Sequence, residues 1–120
     1  MASLPILTGE CSVMVTTPLA TDNCRGIIEG TTTDPLNYTA QGTYSINWTY
    51  DDENGNTATQ TQTVIVEDVN LPVADMGSLP TVSGECDVTV ITPTATDNCV
   101  GEIMGTTTDS LDYANQGTYT

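Results

Sequence analysis

Apolar and polar residues alternate along several short segments of this chain, with the period of two that is typical of β-strands. Val13 and Val15 fall on one face of such a segment, and in the run from Tyr44 to Tyr50 every second residue is aromatic or aliphatic. A further alternating run, residues 59–63, leads into an apolar stretch at residues 64–66. Because no stretch of useful length has helical spacing, the pattern predicts short strands without helices.

Turn residues separate the predicted strands at intervals of about 8 to 12 residues, as in an antiparallel sandwich. Between the last two strands, residues 51–56 read Asp-Asp-Glu-Asn-Gly-Asn, and the Asn-Gly pair predicts a hairpin turn. Residues 41–44 (Gln-Gly-Thr-Tyr) open the penultimate strand, where immunoglobulin-like sandwiches often place a tyrosine that bonds back across the corner. The predicted fold class is therefore all-β, with immunoglobulin-like antiparallel β-sandwiches.

A long internal repeat organises the sequence. Residues 1–45 align without gaps onto residues 76–120, a period of 75, and 29 of the 45 aligned pairs are identical. We expect a first unit at residues 1–68, an acidic linker at 69–75 and a partial second unit at 76–120. Met1 aligns with Met76, so it is interpreted as a position within the repeat rather than an initiator, with no signal peptide before it.

The second unit is predicted to be incomplete. Thr120 aligns with Ser45, inside a predicted strand, so equivalents of residues 46 to 68 are missing from unit 2. These residues should form two strands. We expect either that the chain is an excerpt from a longer tandem array or that unit 2 is completed by the strands of a neighbouring chain.

The charge of the chain excludes several classes of function. Sixteen Asp and Glu residues stand against a single Arg and no Lys or His, for a formal charge of −15. Such a chain is repelled by nucleic acids and by acidic membranes. Without His or Lys it lacks imidazole-activated nucleophiles, the usual zinc ligand sets and Schiff-base chemistry. Nothing supplies a distinct acid, base and pocket, so we expect no enzymatic activity.

Several segments resemble the hyalin repeat (HYR-like) domain, which occurs in tandem in extracellular adhesins and other surface proteins of bacteria. The resemblance covers essentially the whole chain. It is carried by Pro18, residues 20–24 (Ala-Thr-Asp-Asn-Cys), residues 42–44 (Gly-Thr-Tyr), residues 48–52 (Trp-Thr-Tyr-Asp-Asp), residues 55–56 (Gly-Asn), residues 64–68 (Val-Ile-Val-Glu-Asp) and Pro72. The family implies an immunoglobulin-like fold and a structural or adhesive role. The last strand has no Cys, so the disulfide pattern of animal members cannot be transferred.

Acidic residues cluster where one unit is expected to meet the next. In the immunoglobulin strand order, the loop with Asp22 and Asn23 lies at the end of the sandwich where the preceding linker arrives, so the linker should meet Asp97 and Asn98. Carboxylates about 5 Å apart repel by roughly 3 kcal/mol at an effective dielectric of 20, and we expect no cation nearby. Ca²⁺ suits such oxygen ligands. The predicted junction ligands are Glu67, Asp68, Asn70, Asp75, Asp97 and Asn98, with Asp22 and Asn23 at the equivalent position of unit 1.

The hairpin turn is a second candidate calcium site. Its predicted ligands are Asp51, Asp52, Asn54 and Asn56. The spacing is not that of an EF-hand, because Gln62 occupies the twelfth loop position. The alternative is that the acidic turn is simply solvated and that Asn-Gly provides the backbone geometry.

Four regularly spaced cysteines in a small acidic chain suggest disulfides and an oxidising, extracellular location. We expect Cys11 to pair with Cys24, and Cys86 with Cys99, each bond stabilising its unit by roughly 3 kcal/mol. One caution comes from geometry: if residues 11–17 are extended, the ends of that segment lie about 20 Å apart. Pairing between units is the alternative.

The function that these patterns favour is a non-catalytic structural repeat of an extracellular adhesin, stalk or filament, stiffened by Ca²⁺ at the junctions between units. Its partners would be neighbouring repeat units, with possible assembly into fibres and binding to a glycan or another cell-surface target. The alternative is a carbohydrate-binding module, in which Tyr38, Trp48 or Tyr50 would stack on sugars. Alternation places Trp48 on the face of Tyr44 and Ile46, however, which predicts a core position.

Overall fold

The computed structural model describes residues 3–120, and throughout that range the chain consists of strands, turns and irregular segments. This confirms the predicted all-β class. The expected equivalence of Met1 and Ala2 with Met76 and Gly77 lies outside the described residues. None of the described segments is a helix of the length and apolarity that crossing a membrane requires. The chain divides into two compact units, unit 1 (Met1–Val69) and unit 2 (Asn70–Thr120).

Unit 1 is built around one long hairpin. Its strands are β1 (Leu7–Gly9), β2 (Val13–Met14), β3 (Leu19–Asp22), β4 (Gly26–Glu29), β5 (Asn37–Tyr38), β6 (Gly42–Asp51) and β7 (Thr57–Val66). The ten-residue strands β6 and β7 pair antiparallel from Gly42↔Val66 to Asp51↔Thr57. The hairpin predicted from the alternation and from the Asn-Gly turn is therefore confirmed.

Shorter strands surround this hairpin. β1 runs parallel to β7, with Leu7 opposite Val64 and Gly9 opposite Val66, which gives a three-stranded sheet in the order β1-β7-β6. β2 pairs with β5, and β3 pairs with β4, each pair antiparallel. A bridge between Thr31 and Thr49 joins the segment after β4 to β6.

The alternating face of the hairpin supplies most of the core of unit 1. Ile46, Trp48 and Val64 are completely buried, and the remaining buried apolar residues are Val13, Val15, Tyr38, Tyr50 and Val66. Trp48 does not leave its polar atom unsatisfied, because its Nε1–H donates to Gln62 Oε1 at 3.1 Å. The Gln62 amide in turn donates to the Pro5 carbonyl at 3.1 Å. The prediction that Trp48 is a core residue is confirmed.

Unit 2 has shorter strands throughout. They are β8 (Val73–Ala74), β9 (Val88–Thr89), β10 (Thr94–Asp97), β11 (Gly101–Met104) and β12 (Asp112–Tyr113). They form a three-stranded sheet in the order β11-β10-β8 and a two-stranded sheet of β12 and β9. β8 lies within the predicted linker, and its pairing with β10 ties residues 73 and 74 to unit 2.

The repeated sequence produces repeated local structure. β10 and β11 pair as β3 and β4 do, with Asp97 opposite Gly101 just as Asp22 is opposite Gly26. The Tyr44 hydroxyl donates to the Ala40 carbonyl at 2.7 Å, and 75 residues later the Tyr119 hydroxyl donates to the Asn115 carbonyl at 2.8 Å. Each of these tyrosines also lies against a second one, Tyr38 at 4.5 Å between ring centroids and Tyr113 at 4.4 Å. The predicted tyrosine that bonds back across the corner is thus present in both units.

Candidate metal sites in the acidic turns

The motif Asp-Asn-Cys forms the turn between two short strands in both units. In unit 1, Asp22 Oδ1 accepts hydrogen bonds from the backbone N–H groups of Cys24 at 2.8 Å and Arg25 at 2.9 Å. In unit 2, Asp97 Oδ1 accepts the same two bonds from Cys99 and Val100, both at 2.8 Å. Gly26 and Gly101 close these turns with φ values of 90° and 88°, a conformation that favours glycine. These carboxylates therefore have a structural role in their own turns.

The hairpin turn is held by the side chain of Asp52, which is buried. Its Oδ1 accepts hydrogen bonds from the N–H groups of Asn54 at 2.8 Å and Asn56 at 3.1 Å, and its Oδ2 accepts one from Asn56 Nδ2 at 2.7 Å. Asp51 Oδ1 accepts a bond from the N–H of Glu53 at 2.8 Å. Two residues of the turn, Glu53 and Gly55, have φ values of 61° and 97°. The turn thus has an internal set of hydrogen bonds, and the calcium site predicted there stays a prediction.

These bonds lower the pKa of the Asp52 carboxyl below its ordinary value, chiefly through the side-chain bond from Asn56 and then through the two backbone N–H groups. A lowered folded-state pKa stabilises the fold at pH values above the ordinary carboxyl pKa, and this contribution is lost as the pH falls through the folded-state value. We therefore expect Asp52→Asn to lower the free energy of unfolding of unit 1 at neutral pH. The difference in this free energy between the variant and the wild type should become smaller below about pH 4. Urea unfolding followed by Trp48 fluorescence between pH 7 and pH 3 measures this.

Asp51→Asn is the control for that titration, since Asp51 is exposed and accepts one backbone bond. It should leave stability nearly unchanged across the same pH range. If the difference between wild type and Asp52→Asn stays constant from pH 7 to pH 3, the ionised form of Asp52 is not what stabilises the turn.

The two acidic turns of unit 1 are joined by the single cation of the chain. Arg25 Nη1 lies 2.7 Å from Glu53 Oε2, and both side chains are exposed. This places the Asp22 turn beside the hairpin turn. An exposed ion pair contributes about 0 to 1 kcal/mol, so it orients the turns more than it stabilises them.

The predicted ligands around the linker take part in the ends of the two units. In unit 1, the Glu67 N–H donates to the Gly9 carbonyl at 2.9 Å, and the Asp68 N–H donates to Gln41 Oε1 at 2.7 Å. In unit 2, the carboxylate of Asp75 accepts hydrogen bonds from the hydroxyls of Thr94 and Thr96, which lower the pKa of Asp75. Asn70, Asn98 and Asn23 are exposed. A shared calcium site at the junction stays a prediction.

Gln41 is a structural residue whose role the sequence did not reveal. Its side-chain amide donates to the Glu10 carbonyl at 2.8 Å while its oxygen accepts the Asp68 N–H. Gln116 repeats the first of these bonds, donating to the Glu85 carbonyl at 2.7 Å. The sequence did contain a signal for it, because the glutamine recurs in the repeated tetrapeptide Gln-Gly-Thr-Tyr. Only the tyrosine of that tetrapeptide was expected to form a hydrogen bond across the corner.

The predicted cysteine pairs are wrong. The disulfide-bonded cysteines are Cys11 and Cys99, whereas Cys24 and Cys86 are free and exposed. Cys11 precedes β2, and Cys24 lies in the turn after β3, in a different sheet. Residues 15–18 between those strands contain no turn, so the segment does not double back to bring the two sulfurs together.

The three aromatic residues that were expected to stack on sugars are buried. Trp48 is completely buried, and Tyr50 and Tyr38 are only 3% and 7% exposed. Stacking on a carbohydrate requires an exposed ring face, so none of these three can provide it in the folded unit. The carbohydrate-binding alternative therefore loses the residues on which it depended.

Comparison of the sequence with models of known protein families and with curated proteins, and of the structure with solved structures, finds no match.

Proposed function

We propose that this chain is a non-catalytic structural repeat of an extracellular adhesin, stalk or filament, in which immunoglobulin-like sandwich units follow one another and Ca²⁺ stiffens the junctions. The observation that carries the proposal is the recurrence of the same contacts at positions 75 residues apart. These include the Asp22 and Asp97 turns, the Gln41 and Gln116 bonds and the two tilted tyrosine pairs. Such recurrence is typical of a spacer built by duplication of one module.

The oxidation state of the cysteines is consistent with an oxidising environment. Cys11 and Cys99 are disulfide-bonded, and disulfides persist mainly in secreted and surface proteins. The formal charge of −15 fits a long array for a separate reason, because a strongly acidic surface keeps such an array soluble. The disulfide is the feature that supports an extracellular location.

Calcium would act at the junction by removing repulsion between carboxylates. The proposed ligands are Glu67, Asp68, Asn70 and Asp75 with Asp97 and Asn98, all oxygen donors of the kind that Ca²⁺ prefers. Because β8 already ties residues 73 and 74 to unit 2, the hinge that the ion must immobilise is shorter than the seven-residue linker predicted from sequence. At a calcium concentration ten times the dissociation constant, each site adds about 1.4 kcal/mol by mass action.

Small-angle X-ray scattering on the full chain tests this mechanism. We expect a longer and stiffer particle in millimolar Ca²⁺ than in chelator, since extracellular modules bind Ca²⁺ at about 10⁻⁴ to 10⁻³ M. The double variant Asp68→Ala with Asp97→Ala should abolish the difference.

The matched control is Glu29→Ala with Glu102→Ala, which removes one exposed carboxylate from each unit outside the proposed ligand set. It should respond to Ca²⁺ as the wild type does. If the control loses the response as well, the ion acts by general screening of charge. Identical scattering in Ca²⁺ and in chelator would leave the acidic turns as solvated turns only.

A further inference from the structure

Asn54 is the one asparagine in the sequence that is followed by glycine, since every other asparagine precedes a residue with a side chain. The side-chain amide carbon of an asparagine can be attacked by the backbone nitrogen of the next residue. A Cβ on that next residue hinders the attack, and glycine has none. The Asn54-Gly55 pair is therefore the position in the sequence where this reaction is least hindered.

The structure leaves both reacting groups accessible. Asn54 and Gly55 are exposed, in the turn between β6 and β7. Among residues 3–120, neither the Asn54 side chain nor the Gly55 N–H forms a hydrogen bond. A Cβ built on Gly55 would meet no atom within 4 Å, so there is open space around this residue. The two groups can meet without first breaking a hydrogen bond of the fold.

The neighbouring residue Asn56 is held much more firmly. Its N–H donates to Asp52 Oδ1 at 3.1 Å, and its side-chain Nδ2 donates to Asp52 Oδ2 at 2.7 Å. The residue after it, Thr57, is β-branched and opens β7. Asn56 thus lies in the same turn and has the same side chain as Asn54, but its amide is bound and the following nitrogen is crowded. It is a matched comparison within one molecule.

We propose that Asn54 is a site of non-enzymatic deamidation in the folded protein. The Gly55 nitrogen attacks Asn54 Cγ, the new N–Cγ bond forms and the Cγ–Nδ2 bond breaks. The amide group takes up the proton of the Gly55 N–H and leaves as ammonia, and a succinimide ring remains. Water then opens the ring at one of its two carbonyls, which gives either aspartate or isoaspartate. Water is the only co-reactant, and nothing is oxidised or reduced.

The two products change the turn differently. Both add one negative charge beside Asp51, Asp52 and Glu53. The hydrogen bonds of Asp52 come from two backbone N–H groups and the Asn56 side chain, so the aspartate product can keep all of them. The isoaspartate product inserts one extra carbon into the backbone between the two N–H groups that share Asp52 Oδ1. Deamidation is therefore a slow, one-way change in the charge of the turn and, in part of the molecules, in its geometry.

The test incubates the folded full chain at neutral pH and physiological temperature and follows it over several days. Digestion with chymotrypsin releases a peptide that begins at Asp51 and contains both Asn54 and Asn56, and tandem mass spectrometry locates the converted amide. We expect Asn54 to be converted at least tenfold faster than Asn56. Isoaspartate at position 54, labelled by an isoaspartyl methyltransferase, identifies the succinimide route, because direct hydrolysis of the amide gives aspartate only.

Two variants and an unfolded sample complete the test. Gly55→Ala places a Cβ beside the attacking nitrogen and should slow conversion at least tenfold, whereas Thr59→Ala, at an exposed position of β7, should leave the rate unchanged. If Gly55→Ala distorts the turn, because alanine disfavours a φ of 97°, the isoaspartate formed by the wild type still decides. The proposal is overturned if Asn54 and Asn56 are converted at equal rates, if no isoaspartate forms at position 54, or if conversion occurs only in urea. The reaction does not involve Ca²⁺ or a neighbouring unit, so its failure is distinguishable from a failure of the proposed function.

Discussion

Replacing Trp48 by alanine is expected to lower the free energy of unfolding of unit 1 by about 3 to 5 kcal/mol, the range for large aromatic residues in a core. The reason is that Trp48 is completely buried among the alternating residues of β6 and β7 and also holds Gln62 through its Nε1–H. Its removal opens a cavity and leaves the buried amide of Gln62 with one partner fewer. Small domains have only about 5 to 15 kcal/mol of stability, so most of the margin would disappear.

The measurement is urea unfolding followed by far-ultraviolet circular dichroism, because Trp48 is the only tryptophan and its fluorescence is lost in the variant. Ser45→Ala is the matched control on the same strand, at an exposed position, and it should change stability by less than about 0.5 kcal/mol. Ile46→Ala retains the tryptophan and should cost about 2 to 5 kcal/mol. If both core variants unfold at the wild-type urea concentration, the hairpin face does not form the core.

Gly9→Ala is the second substitution with a large expected effect. A Cβ at Gly9 would lie 2.3 Å from the backbone oxygen of Ser12 and 3.0 Å from a methyl group of Val13. Backbone cannot move aside as a flexible side chain can, so β1 or the turn after it must shift. Overpacking of this kind destabilises by about 1 to 3 kcal/mol.

Unfolding followed by Trp48 fluorescence reports on this change within unit 1. Thr8→Ala, at the exposed neighbouring position of β1, is the control and should be nearly neutral. Gly84 repeats the close approach in unit 2, with a Cβ position 2.3 Å from the Asp87 oxygen. A Gly9→Ala protein as stable as Thr8→Ala would mean that the turn after β1 adapts without strain.

The hairpin could be predicted from the sequence because both of its signals are local. Alternation continues through the strand that contains Trp48, and the Asn-Gly pair follows directly after it. The tyrosine contact was predictable for the same reason, since Tyr44 bonds to a residue only four positions away. Features fixed by neighbouring residues leave a pattern in the chain.

The remaining features depend on which segments meet in space. The parallel addition of Leu7–Gly9 to β7 has no pattern of its own, because three residues are too few to show a period. The prediction of the cysteine pairs failed because regular spacing does not reveal that Cys11 and Cys24 flank strands of different sheets. For Asp52, the residue type suggested a metal ligand, while its three hydrogen bonds come from a turn geometry that only the structure shows.

The ion pair between Arg25 and Glu53 has a consequence for proteolysis. Enzymes of trypsin specificity cleave after Lys or Arg, and these 120 residues contain no Lys and a single Arg. The one susceptible bond, between Arg25 and Gly26, lies in the tight turn that Asp22 holds, and the arginine side chain is already bound to Glu53. Such proteases bind their substrates in an extended conformation, so the tight turn holds the single cleavable bond of the folded unit in a conformation that the enzyme cannot readily engage.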